Sequence, residues 1–201
     1  MQITAAVVRE RSAPFALEKL ELGEPRPGEV IVRVVASGMC QTDLHGRDGY
    51  FSSPYPAVYG HEGAGVVHAV GSAVRSLAPG DHVVMSFPWC GTCPNCQHHK
   101  YCYCMHGRRL KMHGRRADGS TLMSKDGAAV YSAFFQQSSF GTYALTQERY
   151  AVKVQATRRW KSWGRSPAVG RPALEPFSTP CNRSPATALL SLASAPLACR
   201  H

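Results

Sequence analysis

Gly38-Met39-Cys40-Gln41-Thr42-Asp43-Leu44-His45 and, after a Pro-rich turn, Tyr59-Gly60-His61-Glu62-Gly63-Ala64-Gly65 form the stretch around which the chain is organised. Cys40 offers a soft thiolate and His61 an imidazole. Beside them stand a hydroxyl (Thr42), a second imidazole (His45) and two carboxylates (Asp43, Glu62). A thiolate with an imidazole suits Zn²⁺, and a site short of four protein ligands leaves a position open for chemistry. The competing reading is a buried free cysteine and a hydrogen-bonded histidine in an ordinary core.

The flanking sequence places Cys40 at the end of a strand. Val30-Ile31-Val32-Arg33-Val34-Val35-Ala36 is β-branched and runs straight into it. Residues 3–9 read as a short strand, and residues 15–22 alternate apolar with charged as a half-buried strand does. Further strands are expected at 64–71 and 82–87, separated by the turn Ala78-Pro79-Gly80-Asp81, and at 129–135, 142–145 and 150–154. Short strands divided by Gly/Pro turns imply a mainly β protein built as a small barrel. The segments 38–63 and 88–128 read as loops.

Within the second of these loops, Cys90-Gly91-Thr92-Cys93-Pro94-Asn95-Cys96 is followed eight residues later by Cys104. Closely spaced cysteines in a tight Gly/Pro loop let thiolates converge on one tetrahedral ion. Four of them fill the shell, so such a zinc is structural. Cys102 competes with Cys104 for the fourth place, and His98, His99 and His106 stand nearby. Disulfides are the alternative, but the first ten residues lack a basic segment followed by a long apolar run, so no secretory signal is read there. The chain is therefore expected to be cytoplasmic, with its eight cysteines serving as ligands or free thiols. No apolar window is long enough to span a membrane.

The formal charge of +10 is uneven: residues 1–154 hold 16 Lys+Arg against 12 Asp+Glu, and residues 155–201 hold 7 against 1. The run from Arg108 to Arg116 looks like a nucleic-acid patch, which would make the chain a non-catalytic zinc-binding module. A solvated basic loop is favoured, since the run has no interleaved aromatics and no finger-like helix.

Four motifs in order, Gly38-x-Cys40-x-Thr42-Asp43-x-His45, Gly60-His61-Glu62-x-x-Gly65, Pro79-Gly80-Asp81-His82-Val83 and the cysteine ladder, resemble the zinc-dependent medium-chain alcohol dehydrogenases, among them the aryl- or benzyl-alcohol type. The resemblance covers residues 1–154 and implies a GroES-like β-barrel catalytic domain with one catalytic and one structural zinc. It implies Cys40 and His61 as ligands of the catalytic zinc, Glu62 as a carboxylate able to approach it and Asp43 as the partner orienting His61. Thr42 would begin a proton relay that His45 passes to solvent. Cys90, Cys93, Cys96 and Cys104 would hold the structural zinc. The implied reaction moves hydride from a primary, aromatic alcohol to NAD, with the alcohol and its aldehyde as small-molecule partners.

The family also carries a third cysteine ligand and a Rossmann domain with a Gly-x-Gly-x-x-Gly loop. Neither is legible after Val154, so a Rossmann domain is not expected in this chain. The catalytic zinc, left with Cys40, His61 and Glu62, is expected to bind weakly, while the structural zinc, held by one contiguous loop, binds firmly. From Gln155 no period of 2 or 3.6 holds. Shifting the frame by one base, with permissible codons, turns Ala193, Ala195 and Ala198 into the glycines of such a loop and supplies a cysteine upstream. Residues 155–201 are accordingly expected to be an out-of-frame tail, largely disordered.

Overall fold

The computed structural model describes residues 1–51 and 53–155; the expectation for the tail lies outside them, Gln155 excepted. Among the described residues ten strands follow one another: β1 Gln2–Val8, β2 Ala16–Leu22, β3 Glu29–Gly38, β4 Ala57–Val58, β5 Glu62–Val70, β6 His82–Met85, β7 Met123–Lys125, β8 Ala128–Val130, β9 Tyr143–Gln147 and β10 Ala151–Lys153. The helices are α1 Gln41–Arg47, α2 Pro94–Gln97 and α3 Gly107–Met112, with single 3₁₀ turns at Tyr101–Tyr103, Phe134–Gln136 and Glu148–Tyr150. No helix among the described residues is long and apolar enough to cross a membrane.

The chain is mainly β, and its strands divide into two five-stranded sheets ordered β4-β1-β2-β7-β8 and β10-β6-β5-β3-β9. The two are stitched along residues 140–142. Ala6 N donates to the Phe140 carbonyl and Thr142 N to that of Thr4 on one side, while Val34 N donates to the Thr142 carbonyl on the other. These bonds join the two sheets along one seam, which closes them on each other as a small barrel requires.

The apolar run of β3 is explained by burial on both faces. Val30, Val32 and Val34 pack with Val67, Val83 and Ala144 in one cluster, while Ile31 joins Val7, Leu20 and Leu145 in the other. A strand covered on both sides needs no alternation. β3 lies between β5 and β9, and register shifts at Ile31/Val32 and Val34/Ala36 bend it before it delivers Cys40.

Three readings from the sequence are corrected. The segment 38–63 is not all loop, because α1 begins immediately after Cys40. The expected strand over 129–135 stops at Val130; Tyr131 makes one isolated bridge to Ala57, and residues 134–136 turn, with Phe135 at φ 49°. Left-handed backbone at a bulky residue cannot continue a strand. The segment 88–128 contains α2, α3 and β7.

The basic run is likewise only partly a solvated loop. Arg108 and Arg109 are exposed, but Lys111 Nζ lies 5.5 Å from the Phe87 ring centre and 5.7 Å from that of Phe135. Arg116 pairs with Glu29 through two parallel contacts, Nε to Oε1 at 2.7 Å and Nη2 to Oε2 at 2.8 Å. The Arg116 and Glu29 side chains are 11% and 9% exposed. A bidentate pair this sheltered leaves an uncompensated charge when one member is removed. Arg116→Met is expected to lower unfolding stability by about 3 kcal/mol, and adding Glu29→Gln to recover part of that loss, both read by urea denaturation.

Candidate metal centres

The first centre is built by a helix start and a strand start meeting around Asp43. Cys40 is the residue before α1, and Asp43, at its third position, reaches back so that Oδ2 accepts the Cys40 amide at 3.0 Å. This is half of a capping arrangement, and it ties the helix to the cysteine. Asp43 Oδ1 accepts the Gly60 amide at 3.0 Å and lies 2.9 Å from His61 Nδ1. The carboxylate is fully buried, so all three donors converge on a group with no solvent alternative.

Two glycines permit the approach. A Cβ on Gly46 would stand 2.5 Å from the Tyr59 ring, so α1 could not lie against it. Gly60 has φ +95°, a conformation side chains rarely adopt, and it swings His61 toward Asp43.

With Nδ1 directed at Asp43, His61 presents Nε2 to the site, 3.9 Å from Glu62 Oε1. The imidazole stacks on Phe135, ring centres 4.6 Å apart at 28°, and meets the edge of Phe134. One ligand atom each from Cys40, His61 and Glu62 lies within 4.8 Å of the others. Burial pushes the Glu62 carboxyl above the usual range; the neighbouring His61 offsets this and Asp43 adds to it. A desolvated carboxylate beside a thiol and an imidazole is a donor set that fits a divalent cation.

Thr42 and His45 sit three residues apart on α1. The Cys40 thiol is 3.6 Å from Thr42 Oγ1, and the half-buried His45 ring lies 4.9 Å from Tyr50 and 6.1 Å from Phe51. Residues three apart share a helix face, which sets the hydroxyl and the imidazole on one side.

The second centre gathers the sulfurs of Cys90, Cys93, Cys96 and Cys104 within 4.8 Å of one another, while Cys102 is exposed. Cys90 and Cys96 Sγ are 3.8 Å apart. Four sulfurs about 2.3 Å from one ion stand about 3.8 Å apart at the corners of a tetrahedron, so the spacing fits zinc. Amides also point at sulfur: Cys90 N donates to Cys104 Sγ at 3.3 Å, and Cys93 N to Cys90 Sγ at 3.3 Å. The Thr92 hydroxyl, with the Thr92 and Cys93 amides, holds the Cys90 thiol down to about 5, whereas burial pushes that of Cys96 up to about 12. Four sulfurs this close could all be thiolates only with a cation between them, which would supply what burial withholds from Cys96.

The lobe is tied to the sheets by aromatics. Trp89 lies against Tyr101, ring centres 4.3 Å apart, and the Tyr150 hydroxyl donates to the Trp89 carbonyl at 2.8 Å. Arg149 Nη1 donates to the Cys90 carbonyl at 3.2 Å.

Sequence reasoning missed Gln137. It is fully buried; its Nε2 donates to the His61 carbonyl at 2.8 Å, and its Oε1 accepts the Gly63 amide at 3.0 Å, which fixes the backbone on either side of Glu62. The available signal was Gln136-Gln137-Ser138-Ser139, four polar residues between Phe135 and Phe140 and between two expected strands.

Residues 26–156 match the family model described as the alcohol dehydrogenase GroES-like domain. The chain belongs to this family. Geraniol dehydrogenase of Castellaniella defragrans is 46% identical to this GroES-like chain over 151 residues, which are 75% of it and 40% of the relative. The solved alcohol dehydrogenase zinc-binding domain protein from Burkholderia ambifaria superposes with a TM-score of 0.76 at 47% identity, over 78% of this chain and 43% of that one. Benzyl alcohol dehydrogenase from Acinetobacter calcoaceticus gives 0.76 at 40% identity, over 82% and 44%. The GroES-like chain therefore spans about two fifths of the length of the alcohol dehydrogenases it matches.

Proposed function

We propose that this chain supplies the alcohol-activating half of a zinc- and NAD-linked alcohol dehydrogenase acting on primary, aromatic alcohols. The observation that carries the reading is the convergence of Cys40, His61 and Glu62 ligand atoms within 4.8 Å, with Asp43 engaging His61 Nδ1. Cys40 and His61 would hold the catalytic Zn²⁺ with Glu62 beside it, and Cys90, Cys93, Cys96 and Cys104 the structural one. Bound zinc supplies Lewis acidity that lowers the pKa of an alcohol oxygen. NAD would supply the hydride acceptor for the alcohol carbon.

The chain's own groups handle the proton. Thr42 Oγ1 accepts it from the substrate hydroxyl while releasing its own toward His45, whose half-buried ring passes it outward. Asp43 keeps Nδ1 of His61 occupied, so Nε2 keeps its lone pair. Phe134 and Phe135 wall the imidazole and exclude water from one side of it.

Metal analysis of the purified chain tests this reading. With zinc in excess the expected content is two per chain, the one at Cys40, His61 and Glu62 the weaker, falling to one in His61→Ala with the cysteine-lobe zinc retained. Wild-type protein with a single zinc that His61→Ala leaves in place would sink the reading.

A further inference from the structure

We propose that the cleft between α3 and the loop that follows α1 is a binding site for a carboxylate carried on an aromatic body. The cleft is open to solvent and offers about 650 Å³, and small-ligand pockets run to roughly 300–1,000 Å³. Phe51, Met112 and Tyr131 give it apolar walls, Arg108, Arg109 and Arg115 give it cations, and among the described residues no carboxylate lines it.

The three arginines are not equivalent. Arg115 is committed to the wall: its guanidinium donates to the Gly119 carbonyl and to the Tyr131 hydroxyl, and lies 4.6 Å from the centre of the Tyr131 ring. Arg108 and Arg109 are adjacent on α3, are exposed, and have no ion-pair partner among the described residues. Residues 82–117 contain no Asp or Glu that could neutralise them locally. Two free guanidiniums at the rim of an apolar cleft match the oxygens of a carboxylate, which planar forks bind in pairs. A bare inorganic anion would leave Phe51, Met112 and Tyr131 uncovered, whereas a flat ring fills the space between them.

The cleft adjoins the first metal centre without containing its donors. Phe51 meets the His45 ring, and Lys111 of α3 reaches Phe135, which stacks on His61. None of Cys40, His61 and Glu62 lines the cleft. A ligand held by Arg108 and Arg109 therefore need not displace a metal donor, and the inference stands whether or not the chain oxidises alcohols.

Calorimetric titration of the zinc-loaded 201-residue chain with 1-naphthoate tests it, with 1-naphthalenemethanol and inorganic phosphate as comparators. Naphthoate is expected to bind at least about tenfold more tightly than either comparator, and Arg108→Gln/Arg109→Gln to weaken it about tenfold or more. Both arginines are exposed, so the double variant keeps the fold, which its circular dichroism checks. Cys40→Ser is expected to leave naphthoate affinity within about twofold, and Glu62→Gln repeats that arm should Cys40→Ser fold poorly. Three results overturn the proposal: no binding of naphthoate, phosphate binding as tightly as naphthoate, or affinity lost in the Cys40 or Glu62 variant and kept in the arginine pair.

Discussion

Asp43→Ala is expected to destabilise the folded chain by about 3–5 kcal/mol in denaturant unfolding and to remove one zinc while leaving the other. The magnitude follows from geometry rather than from charge. A carboxylate with no exposed surface accepts the Cys40 amide, the Gly60 amide and His61 Nδ1 at 2.9–3.0 Å. Alanine fills none of these roles, and each buried donor left without a partner costs about 1–3 kcal/mol, with the three not strictly additive because they share one cavity. Asp43→Asn separates the contributions. It keeps the shape and one carbonyl oxygen, but turns an NH₂ toward one of the donors, so an intermediate loss is expected. An Asp43→Ala protein within about 1 kcal/mol of wild type and holding both zincs would show that Asp43 is a passenger in the core.

What was legible in the sequence follows a physical division. The β-branched run into Cys40 and the order of the motifs are local, and they fixed both the mainly β reading and the pairing of Cys40 with His61. Position along the ladder alone left Cys102 and Cys104 open as fourth ligand; the 3₁₀ turn at Tyr101–Tyr103 turns the first out to solvent and the second in among the sulfurs. α1 was hidden because seven residues with a glycine at position 46 carry too little periodicity to register. The end of β8 was hidden because Tyr131, Phe134 and Phe135 have strand-forming side chains, while the backbone at Phe135 is left-handed.

Contacts distant in sequence were illegible for a different reason. Arg116 looked like one charge among several in a basic run until Glu29, 87 positions away, was found against it. Gln137 looked like loop until its amide was seen to brace the backbone around Glu62. Neither leaves a local trace, because the partner that gives each its role is set by how β3 and β5 pair, not by its neighbours in the chain.

Cys96→Ser is expected to abolish zinc binding at the cysteine lobe and to raise amide exchange across residues 88–104 by orders of magnitude, while β3, β5 and β9 keep their protection. The lobe has little else to hold it. Its regular structure is one four-residue helix and one 3₁₀ turn, its side-chain packing centres on Trp89 and Tyr101, and α2 and the turn are joined by few bonds such as Asn95 Nδ2 to the Tyr103 carbonyl. A segment this short on apolar burial takes its order from the metal, since ligand binding energy is then folding energy. The same logic sets the pH response. Protons compete with zinc for each sulfur, and the Cys96 thiol, pushed up to about 12 by burial, must give up its proton on zinc uptake at neutral pH. Zinc affinity at the lobe therefore falls as pH falls, and a chromogenic chelator should extract this zinc faster at pH 5 than at pH 8. A merely hydrogen-bonded thiol cluster holds no zinc and predicts no release to the chelator at either pH. Protection in residues 88–104 that is unchanged by chelator and by Cys96→Ser would assign the lobe's order to packing and remove zinc from the account of it.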